Sequence, residues 1–346
     1  MLLEKLSNLP GVSGDEGAVR DTIAAELEGL PLERRTDSMG NLLVRKGADM
    51  SSSSPRIMLA AHMDEVGLIV VSIEESGHLR FKPLGGIDSR VLVSKRVRVG
   101  REKIPGVIGA KAIHLQKPEE RKKPFAADQL YIDIGAKNRE EAEKHLSIGA
   151  YVSFDTECVS IGGGCFRGKA FDDRAGCAVL LELLREENGL SFDAAFTVQE
   201  EIGLRGARVA AYTLRPQIAL AIEATAAADT PDTREEHSAT VLGKGPAISF
   251  MDRTLIVDRG ILKELVGAAE KAAIPFQLRR AAGGGTDAGA IALSREGARA
   301  GVVAVPCRYI HSPCGVLKES DLQHTLTLVR AWLEATVKQN WKGDLL

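Results

Sequence analysis

Two adjacent carboxylates, Glu200 and Glu201, stand directly after an apolar run at residues 194–198. The run has the length of a buried strand, and the chemistry of a helix-covered parallel sheet commonly lies just past a strand's carboxyl end. Neighbouring side chains on a strand point to opposite faces, so both acids can serve one site only if the chain turns there. Gly203 and Gly206 permit such a turn. An exposed acidic turn is the alternative, because most carboxylates are solvated.

Further histidines and acids occupy similar places along the chain. They are His62 after the apolar residues 57–61, Asp172 at the start of a helical pattern over 169–187, Glu223 after 218–222, and His311 shortly after 301–305. The carboxyl ends of parallel strands lie along one edge of a sheet, so these side chains can converge on a single crevice. Two histidines with several carboxylates form a ligand set for borderline to hard divalent ions such as zinc, cobalt or manganese. We therefore predict a paired-metal site.

Two further aspartates, Asp64 and Asp173, lie close in sequence to these candidates. Asp64 is two residues from His62, and on an extended stretch the two side chains share a face, so Asp64 can orient the imidazole. A single strand-end histidine is more often structural than a ligand, which leaves this pair ambiguous on its own. Asp172 and Asp173 can both be favourable charges at a helix start, but capping needs only one of them.

The elements that must position these groups alternate between helices and strands over most of the chain. Helical patterns cover residues 2–9, 16–30, 261–273 and 321–338. Strand-like apolar runs precede most of the candidate residues. This alternation predicts an α/β fold in which helices cover a mostly parallel sheet, with a catalytic domain at residues 1–68 and 162–346.

Residues 69–161 have a different pattern and contain none of the candidate ligands. Apolar and polar residues alternate in three segments, 90–100, 103–115 and 129–134. Glycine or proline turns separate these segments, which predicts a small antiparallel barrel or sandwich inserted into the α/β domain. His114 lies in this block without an acidic neighbour in sequence, and a site role in a neighbouring subunit is left open.

Composition and charge argue against several classes of protein. The 346 residues are 44% hydrophobic and 27% charged, as is ordinary for a globular protein. Lys plus Arg number 45 and Asp plus Glu 47, and the formal charge of −2 gives no reason to expect nucleic acid or a membrane as a partner. The N-terminus lacks the apolar core of a signal peptide, and no run approaches the roughly 18 apolar residues of a membrane span. A cytoplasmic protein is expected.

Eight motifs in the sequence are similar to those of one peptidase family. They are GVSGDE at 11–16, AHMDEVG at 61–67, GVIGAKAIHLQ at 106–116, KAFDDRAG at 169–176, VQEEIGLRGA at 198–207, GKGPAIS at 243–249, GGGTDAGAI at 283–291 and YIHSPCG at 309–315. Over nearly its whole length the chain thus resembles the glutamyl and deblocking aminopeptidases, a family of two-metal peptidases that includes the tetrahedral aminopeptidases.

The resemblance implies a role for each candidate residue. The implied metal ligands are His62 and Glu223 for one ion, Glu201 and His311 for the other, and Asp172 as the bridge between them. Glu200 would be the general base and Asp64 the partner of His62. The family more often has an aspartate at the position of Glu223, and the longer side chain can shift that metal or change its preference.

The implied reaction is the release of N-terminal residues from short peptides. A water molecule held by two divalent ions, with zinc favoured over cobalt or manganese, would lose a proton to Glu200 and attack the scissile carbonyl as the bridging hydroxide. The loops at 226–240 and 283–290 are expected to set specificity. Relatives of this kind form dimers that build a hollow dodecamer, so the inserted block is expected to hold subunits together or to shape access.

Two alternatives use the same residues. A glycoside hydrolase of the endoglucanase type also needs a carboxylate pair, but only 4% of the residues are aromatic and such an enzyme has no need of two histidines at strand ends. A non-catalytic metal-binding assembly protein is the other alternative. It is less favoured, because every implied ligand and the base are present.

Overall fold

The computed structural model describes residues 1–47, 55–231, 233–234, 238–280 and 283–338. Residues 232 and 235–237 of the predicted specificity loop 226–240 therefore lie outside the described residues. The helices are α1 (Leu2–Ser7), α2 (Gly17–Glu26), α3 (Arg139–Glu143), α4 (Phe171–Arg185), α5 (Arg205–Leu214), α6 (Arg259–Lys271), α7 (Asp287–Ala292) and α8 (Glu319–Lys338). The strands are β1 (Glu33–Thr36), β2 (Leu42–Lys46), β3 (Ile57–His62), β4 (Gly67–Ile73), β5 (Leu79–Leu84), β6 (Arg96–Val99), β7 (Ile104–Gly109), β8 (Tyr131–Asp133), β9 (Tyr151–Phe154), β10 (Val159–Gly162), β11 (Cys165–Gly168), β12 (Phe192–Thr197), β13 (Ile218–Ala226), β14 (Ala247–Ile248), β15 (Gln277–Leu278), β16 (Arg299–Arg308) and β17 (Gly315–Lys318).

The larger sheet has a parallel centre. Its 11 strands follow the order β1-β2-β12-β3-β13-β16-β17-β11-β10, with β14 and β15 attached beside β16. The four central strands β12, β3, β13 and β16 run parallel, and the outer strands pair with them antiparallel. The predicted fold class is confirmed, and the parallel pairing is concentrated where the candidate ligands lie.

Alternate residues of the central strands face two different layers of helices. On β3, Leu59 and Ala61 pack in a core with α1, α2, α4, α6 and α8. Met58 and Ala60 point to the other face and pack against α5 and α7. Because the strands are buried on both faces, their sequences are continuous apolar runs rather than alternating ones.

One central strand extends further than its apolar residues. The run at 218–222 predicts a strand that stops before Glu223, but β13 continues to Ala226. Its partner β16 continues likewise, and the two strands remain paired as far as Ala226 opposite Cys307. The backbone hydrogen bonds of this ladder extend the strand, so Glu223 lies within β13 rather than after it.

Strands β4 to β9 form a closed antiparallel barrel in the order β4-β5-β8-β7-β6-β9. Side chains such as Phe81, Val97 and Val152 fill its interior and form a hydrophobic core of their own. Of the two predicted forms, barrel or sandwich, the barrel is the correct one. The division of the chain into 1–68 with 162–346 and 69–161 stays a prediction.

The prediction of a strand is wrong for the first half of the segment at 90–100. The alternating pattern over 90–100 predicts a continuous strand, but Ser89–Val91 forms a 3-10 turn and β6 begins only at Arg96. The Asp88 carboxylate accepts the backbone N–H of Arg90 and stabilises the turn. A side-chain cap therefore outweighs the strand pattern here.

The C-terminal helix α8 has 20 residues. Its Leu322, Leu328 and Val329 are buried in the main core, as the predicted helix over 321–338 requires. Across the part of the chain that the structure describes, no helix has both the length and the hydropathy needed to cross a bilayer.

Candidate metal centre

The candidate ligands arrive at one edge of the sheet from its parallel centre. His62 is the last residue of β3 and lies opposite Thr197, the last residue of β12. The chain turns after Thr197, which places Glu200 and Glu201 at the same edge. His311 follows the end of β16 and reaches the same cavity. Parallel pairing thus brings these side chains together, as their positions in the sequence suggest.

The ligand atoms form two groups that share Asp172. His62, Asp172 and Glu223 form one group and Asp172, Glu201 and His311 the other, with the ligand atoms of each group within 4.8 Å of one another. His62 Nε2 is 3.1 Å from Asp172 Oδ1 and 3.6 Å from Glu223 Oε2. His311 Nε2 is 3.2 Å from Asp172 Oδ2 and 3.4 Å from Glu201 Oε1. Each carboxylate oxygen of Asp172 therefore faces the histidine of a different group.

Asp172 and Asp173, at the start of α4, make different contacts. Asp172 and Asp173 have backbone angles outside the helical region, and the peptide bond between them is cis. Asp173 accepts the amide of Gly176 at 2.9 Å and the amide of His62 at 3.2 Å, so it caps the helix and ties it to β3. Asp172 does not cap the helix, and its carboxylate belongs to both ligand groups instead.

The donor set fits divalent cations. Glu201 Oε1 is buried and has no hydrogen-bond donor among the described residues. Burial, together with neighbouring carboxylates, raises the pKa of Glu201 to about 7 and that of Glu223 well above its usual range, although the nearby histidines oppose both shifts. Buried carboxylates without a compensating charge are strongly unfavourable, so the cluster attracts cations. Two imidazoles and three carboxylates suit zinc, cobalt or manganese.

A backbone oxygen orients each imidazole from the side opposite the ligand groups. His62 Nδ1 is 3.1 Å from the carbonyl oxygen of Asp64, and His311 Nδ1 is 3.0 Å from that of Gly86. A proton on Nδ1 leaves Nε2 of either ring available to a metal. Gly86 lies between β5 and β6, so the inserted block contributes to the site although it contains no candidate ligand.

Glu200 lines the cavity but belongs to neither ligand group. Burial raises the pKa of its carboxyl well above the usual range, and the charges of Asp287 and Glu201 add to this shift while His62 opposes it. A carboxylate with a raised pKa is a better proton acceptor near neutral pH. The surroundings of Glu200 therefore suit a base rather than a ligand.

Asp64 holds the turn that carries both glutamates. Its Oδ1 accepts the amide of Glu200 at 2.9 Å, and its Oδ2 accepts the amide of Glu201 at 3.1 Å. The same carboxylate is 3.4 Å from His62 Nδ1, farther than the carbonyl oxygen of Asp64. The contact with His62 follows from the sequence spacing, but the bonds to the turn join residues too distant in sequence for any pattern to indicate them.

An open cavity of about 610 Å³ lies over the two ligand groups. Arg208, Arg253 and Arg279 line its wall. Among the described residues, no carboxylate pairs with these three side chains, and Arg279 donates only to a backbone oxygen. The sequence does not reveal them, because no regular spacing or motif marks them. From the predicted specificity loops, Ala226 and residues 284–286 reach the cavity.

Asp287 and His114 stand apart from the ligand groups. Asp287 is a buried acid that accepts the hydroxyl of Thr197, and its amide is 3.4 Å from Glu223 Oε1. Burial raises the pKa of Asp287 to about 6. Its position in the motif at 283–291 gives no sign of these contacts. His114 lies on the exposed 3-10 turn Ile113–Leu115 and does not line the cavity, so its role in a neighbouring subunit stays a prediction.

Comparison with known proteins shows clear relatives of the chain. The family model for M42 glutamyl aminopeptidase matches residues 40–328. A putative aminopeptidase of Acetivibrio thermocellus is 38% identical over 95% of this chain and 96% of its own length. The lysyl aminopeptidase of Pyrococcus furiosus is 33% identical, with 96% of both chains covered. The glutamyl aminopeptidase of Lactococcus lactis is also 33% identical, with 95% of this chain and 94% of its own covered.

Solved structures with this fold have similar lengths. Aminopeptidase APDkam598 of Desulfurococcus kamchatkensis is 38% identical with a TM-score of 0.90, and 98% and 97% of the two chains are covered. The TET1 peptidase of Pyrococcus horikoshii, which can assemble into a tetrahedron or a large octahedral shell, is 34% identical with a TM-score of 0.84 and coverage of 95% and 97%. PhTET1-12s, with the same identity, coverage and TM-score, is a dodecamer. An endoglucanase of Thermotoga maritima is 38% identical with a TM-score of 0.79, and 97% of each chain is covered.

Proposed function

The chain belongs to the M42 glutamyl aminopeptidase family and is a metal-dependent aminopeptidase, and we propose that it releases N-terminal residues from short peptides with Glu200 as the general base. The observation that carries this proposal is the pair of ligand groups joined through Asp172 beside an open cavity. Glu200 lines the same cavity without belonging to either group. The arrangement therefore supports the proposal of a metal pair with a separate base.

Two divalent ions per chain are the proposed cofactors, with zinc favoured over cobalt or manganese. His62 and Glu223 would hold one ion, Glu201 and His311 would hold the other, and Asp172 would bridge them. When bound, such a pair lowers the pKa of a water molecule and polarises the carbonyl of the scissile bond. Glu223 has a longer side chain than the aspartate that the family more often has at this position. Because its backbone is held within β13, only the conformation of the side chain can compensate for the extra length.

Glu200 would carry the proton during the reaction. Its carboxylate accepts a proton from the attacking water and later delivers it to the leaving amine. Asp64 holds the amides of Glu200 and Glu201 on its two oxygens, so the two neighbouring side chains are kept in different places. One glutamate can then transfer protons while the other remains with the ligand group.

The charge distribution of the cavity would select and orient substrates. The carboxylates of the ligand groups and Glu200 attract a protonated amino end, whereas the three cavity-wall arginines, Arg208, Arg253 and Arg279, attract carboxylates. We propose a preference for peptides that begin with an acidic residue. Similar relatives include both a glutamyl and a lysyl aminopeptidase. The proposed preference for acidic residues therefore rests on the three arginines and not on family membership.

A closed homo-oligomer is the proposed setting for this activity. PhTET1-12s is a dodecamer and shares 34% of its sequence with this chain. The barrel has its own core and exposes the apolar side chains of Ile113, Leu115 and Ile148, which are 68%, 62% and 64% exposed. Exposed apolar side chains of this kind suit contacts between subunits. We propose dimers that build a dodecamer with the active sites facing its interior.

Glycoside hydrolysis is the second candidate, because an endoglucanase of Thermotoga maritima is 38% identical to the chain. The cavity does not favour it. Among the described residues, no Phe, Tyr or Trp lines the cavity, and sugar sites usually offer such rings. Two imidazoles facing a shared carboxylate suit metal binding, and the carboxylate pair of a glycosidase has no need of them.

The decisive experiment compares chelated and reconstituted protein on both substrate classes. Chelation should abolish the hydrolysis of amino-acyl p-nitroanilides. Zinc, cobalt or manganese should restore it at about two ions per chain, one for each ligand group. Full peptidase activity in metal-free protein would refute the metal role, and metal-independent release of reducing sugar from carboxymethylcellulose would favour the glycosidase. Failure of metal-loaded protein on a broad anilide panel would favour a non-catalytic metal-binding protein.

A further inference from the structure

Two carboxylates from distant parts of the chain hold the turn that carries Glu200 and Glu201. Gln199, the residue before them, has a left-handed backbone with φ of 56°. Its amide donates to Glu16 Oε1 at 3.1 Å, and the next two amides donate to Asp64 at 2.9 and 3.1 Å. Three consecutive N–H groups therefore bond outside the turn, so its position depends on where Glu16 and Asp64 lie.

The N-terminal loop, residues 11–16, supports both of these acceptors. Ser13 Oγ donates to Asp64 Oδ2 at 2.6 Å, and the amide of Gly14 donates to Glu16 Oε1 at 2.7 Å. Ser13, Glu16 and Asp64 are all buried. Water is therefore poorly placed to replace these bonds, and the loss of one partner would leave a buried polar group unpaired.

The N-terminal loop is itself fixed to the segment that follows His62 and β3. Val12 forms a parallel bridge with Glu65, whose amide donates to the carbonyl oxygen of Gly11 at 2.9 Å. Lys169 Nζ binds Glu65 Oε1 at 2.6 Å in a buried ion pair. These contacts hold the loop independently of the turn after β12, so the loop can act as a fixed support for that turn.

We infer that Ser13 and Glu16 are positioning residues for hydrolysis at Glu200, an inference that rests on the proposed function. Neither residue lines the cavity. Ser13 acts through Asp64 and Glu16 acts through the amide of Gln199. A base and a metal ligand on adjacent residues must be directed to different places, and a misplacement of about 1 Å can lower a rate by about 100-fold. The N-terminal loop determines this geometry.

The test compares substitutions at Glu16 in the full-length, metal-loaded protein. Glu16→Ala leaves the amides of Gln199 and Gly14 without an acceptor, and it should lower kcat by about 10- to 100-fold with little change in KM. Glu16→Gln keeps an oxygen that accepts both bonds, and kcat should remain within about threefold of wild type. A Glu16→Gln variant as slow as Glu16→Ala would contradict the inference.

Ser7→Ala is the matched control for Ser13→Ala. The hydroxyl of Ser7 is buried and donates to the carbonyl oxygen of Lys169 at 2.6 Å, the same length as the bond from Ser13 to Asp64. Each substitution removes one buried hydrogen bond in the N-terminal region, so the two should lower the melting temperature alike. Only Ser13→Ala should lower kcat, by about tenfold. Equal kcat losses in both variants would overturn the inference.

Amide hydrogen exchange supplies a readout that does not depend on turnover. The Gln199 amide should exchange slowly in the wild type, faster in Glu16→Ala, and slowly again in Glu16→Gln. Unchanged exchange in Glu16→Ala, or wild-type kcat in both Glu16→Ala and Ser13→Ala, would show that the loop does not position the turn. If the wild type cleaves no peptide, the proposed function fails, while the exchange rates still decide whether Glu16 holds the turn.

Discussion

Glu200 and Glu201 are identical side chains on adjacent residues, and they differ in what surrounds them. Glu201 lies in a ligand group with Asp172 and His311, whereas Glu200 belongs to neither group. We expect Glu200→Gln to lower kcat by about 10²- to 10⁴-fold, the usual contribution of a general base, while metal content is retained. Glu201→Gln should instead lose metal. Elemental analysis and steady-state kinetics of both variants separate the roles, and swapped effects would contradict the assignment.

The cavity-wall arginines permit a charge-reversal test of specificity. We expect Arg253→Glu to lower kcat/KM for glutamyl p-nitroanilide by about fivefold, since a partly exposed charge pair contributes up to about 1 kcal/mol. The value for lysyl p-nitroanilide should rise. Arg121→Glu, an exposed site in the barrel region, makes the same charge change away from the cavity and should alter neither value. Because anilides lack a C-terminal carboxylate, any change reports on the first residue alone.

The pKa shifts of the cluster predict how the stability of the metal-free protein depends on pH. The pKa is raised to about 7 for Glu201, to about 6 for Asp287 and to about 10 for His311, the last because hydrogen bonding to Asp172 outweighs burial. A group with a raised pKa in the folded state binds its proton more tightly there than in the unfolded chain. Its stabilising contribution is therefore lost as the pH rises through the folded pKa.

We expect the melting temperature of metal-free protein to fall as the pH rises from about 5 to about 8, because all three of these groups shift in the same sense. The lowered pKa values of Asp64 and Asp172 act in the opposite sense only at more acidic pH. The gain in melting temperature on adding zinc should grow over the same range, since the ligands must lose their protons to bind a metal. A metal-free melting temperature that rises from pH 5 to 8 would contradict this prediction.

Among the elements around the site, the start of α5 lies close to Val198, the residue that follows β12. The amide of Gly206 donates to the carbonyl oxygen of Val198 at 3.0 Å, and a Cβ atom at Gly206 would lie 2.4 Å from that oxygen. Gly206→Ala should therefore lower the free energy of unfolding by about 1–3 kcal/mol, as overpacked substitutions do. Gly267→Ala on α6 is the matched control, because a Cβ there meets no atom within 4 Å.

Gly267→Ala should leave the free energy of unfolding unchanged or raise it by up to about 1 kcal/mol, since alanine reduces the freedom of the unfolded chain. Urea unfolding of the two variants measures the difference. Equal effects at Gly206 and Gly267 would show that the close approach of α5 to Val198 does not determine the stability of this part of the sheet.

Elements and site residues were predictable from the sequence where the signal is local. Histidines and acids after apolar runs are chemically distinctive, so the convergence of His62, Glu201 and His311 on one cavity can be predicted without a structure. The extension of β13 to Ala226 is not visible, because pairing with β16 rather than apolar character determines it. The contact of Glu16 with the turn after β12 is equally hidden, because its partner lies 183 residues away.

At the scale of the whole molecule, the proposed assembly would limit which substrates can reach the site. A closed particle of about twelve chains, as in the dodecameric PhTET1-12s, would exclude folded proteins from an interior active site. We expect light scattering to give a mass near twelve chains and cleavage to decline as peptides lengthen. A monodisperse monomer that trims long or folded substrates would contradict both the assembly and its gating role, whereas a stable active dimer would contradict only the dodecamer.

The barrel begins and ends on neighbouring strands. Leu68 of β4 lies opposite Val152 of β9, so the two ends of the barrel segment are about 5 Å apart. A segment whose ends meet can be gained, exchanged or trimmed during evolution without displacing the sheet to which it is attached. The barrel segment could then change while the ligand groups stay the same, provided that a backbone oxygen at the position of Gly86 remains beside His311.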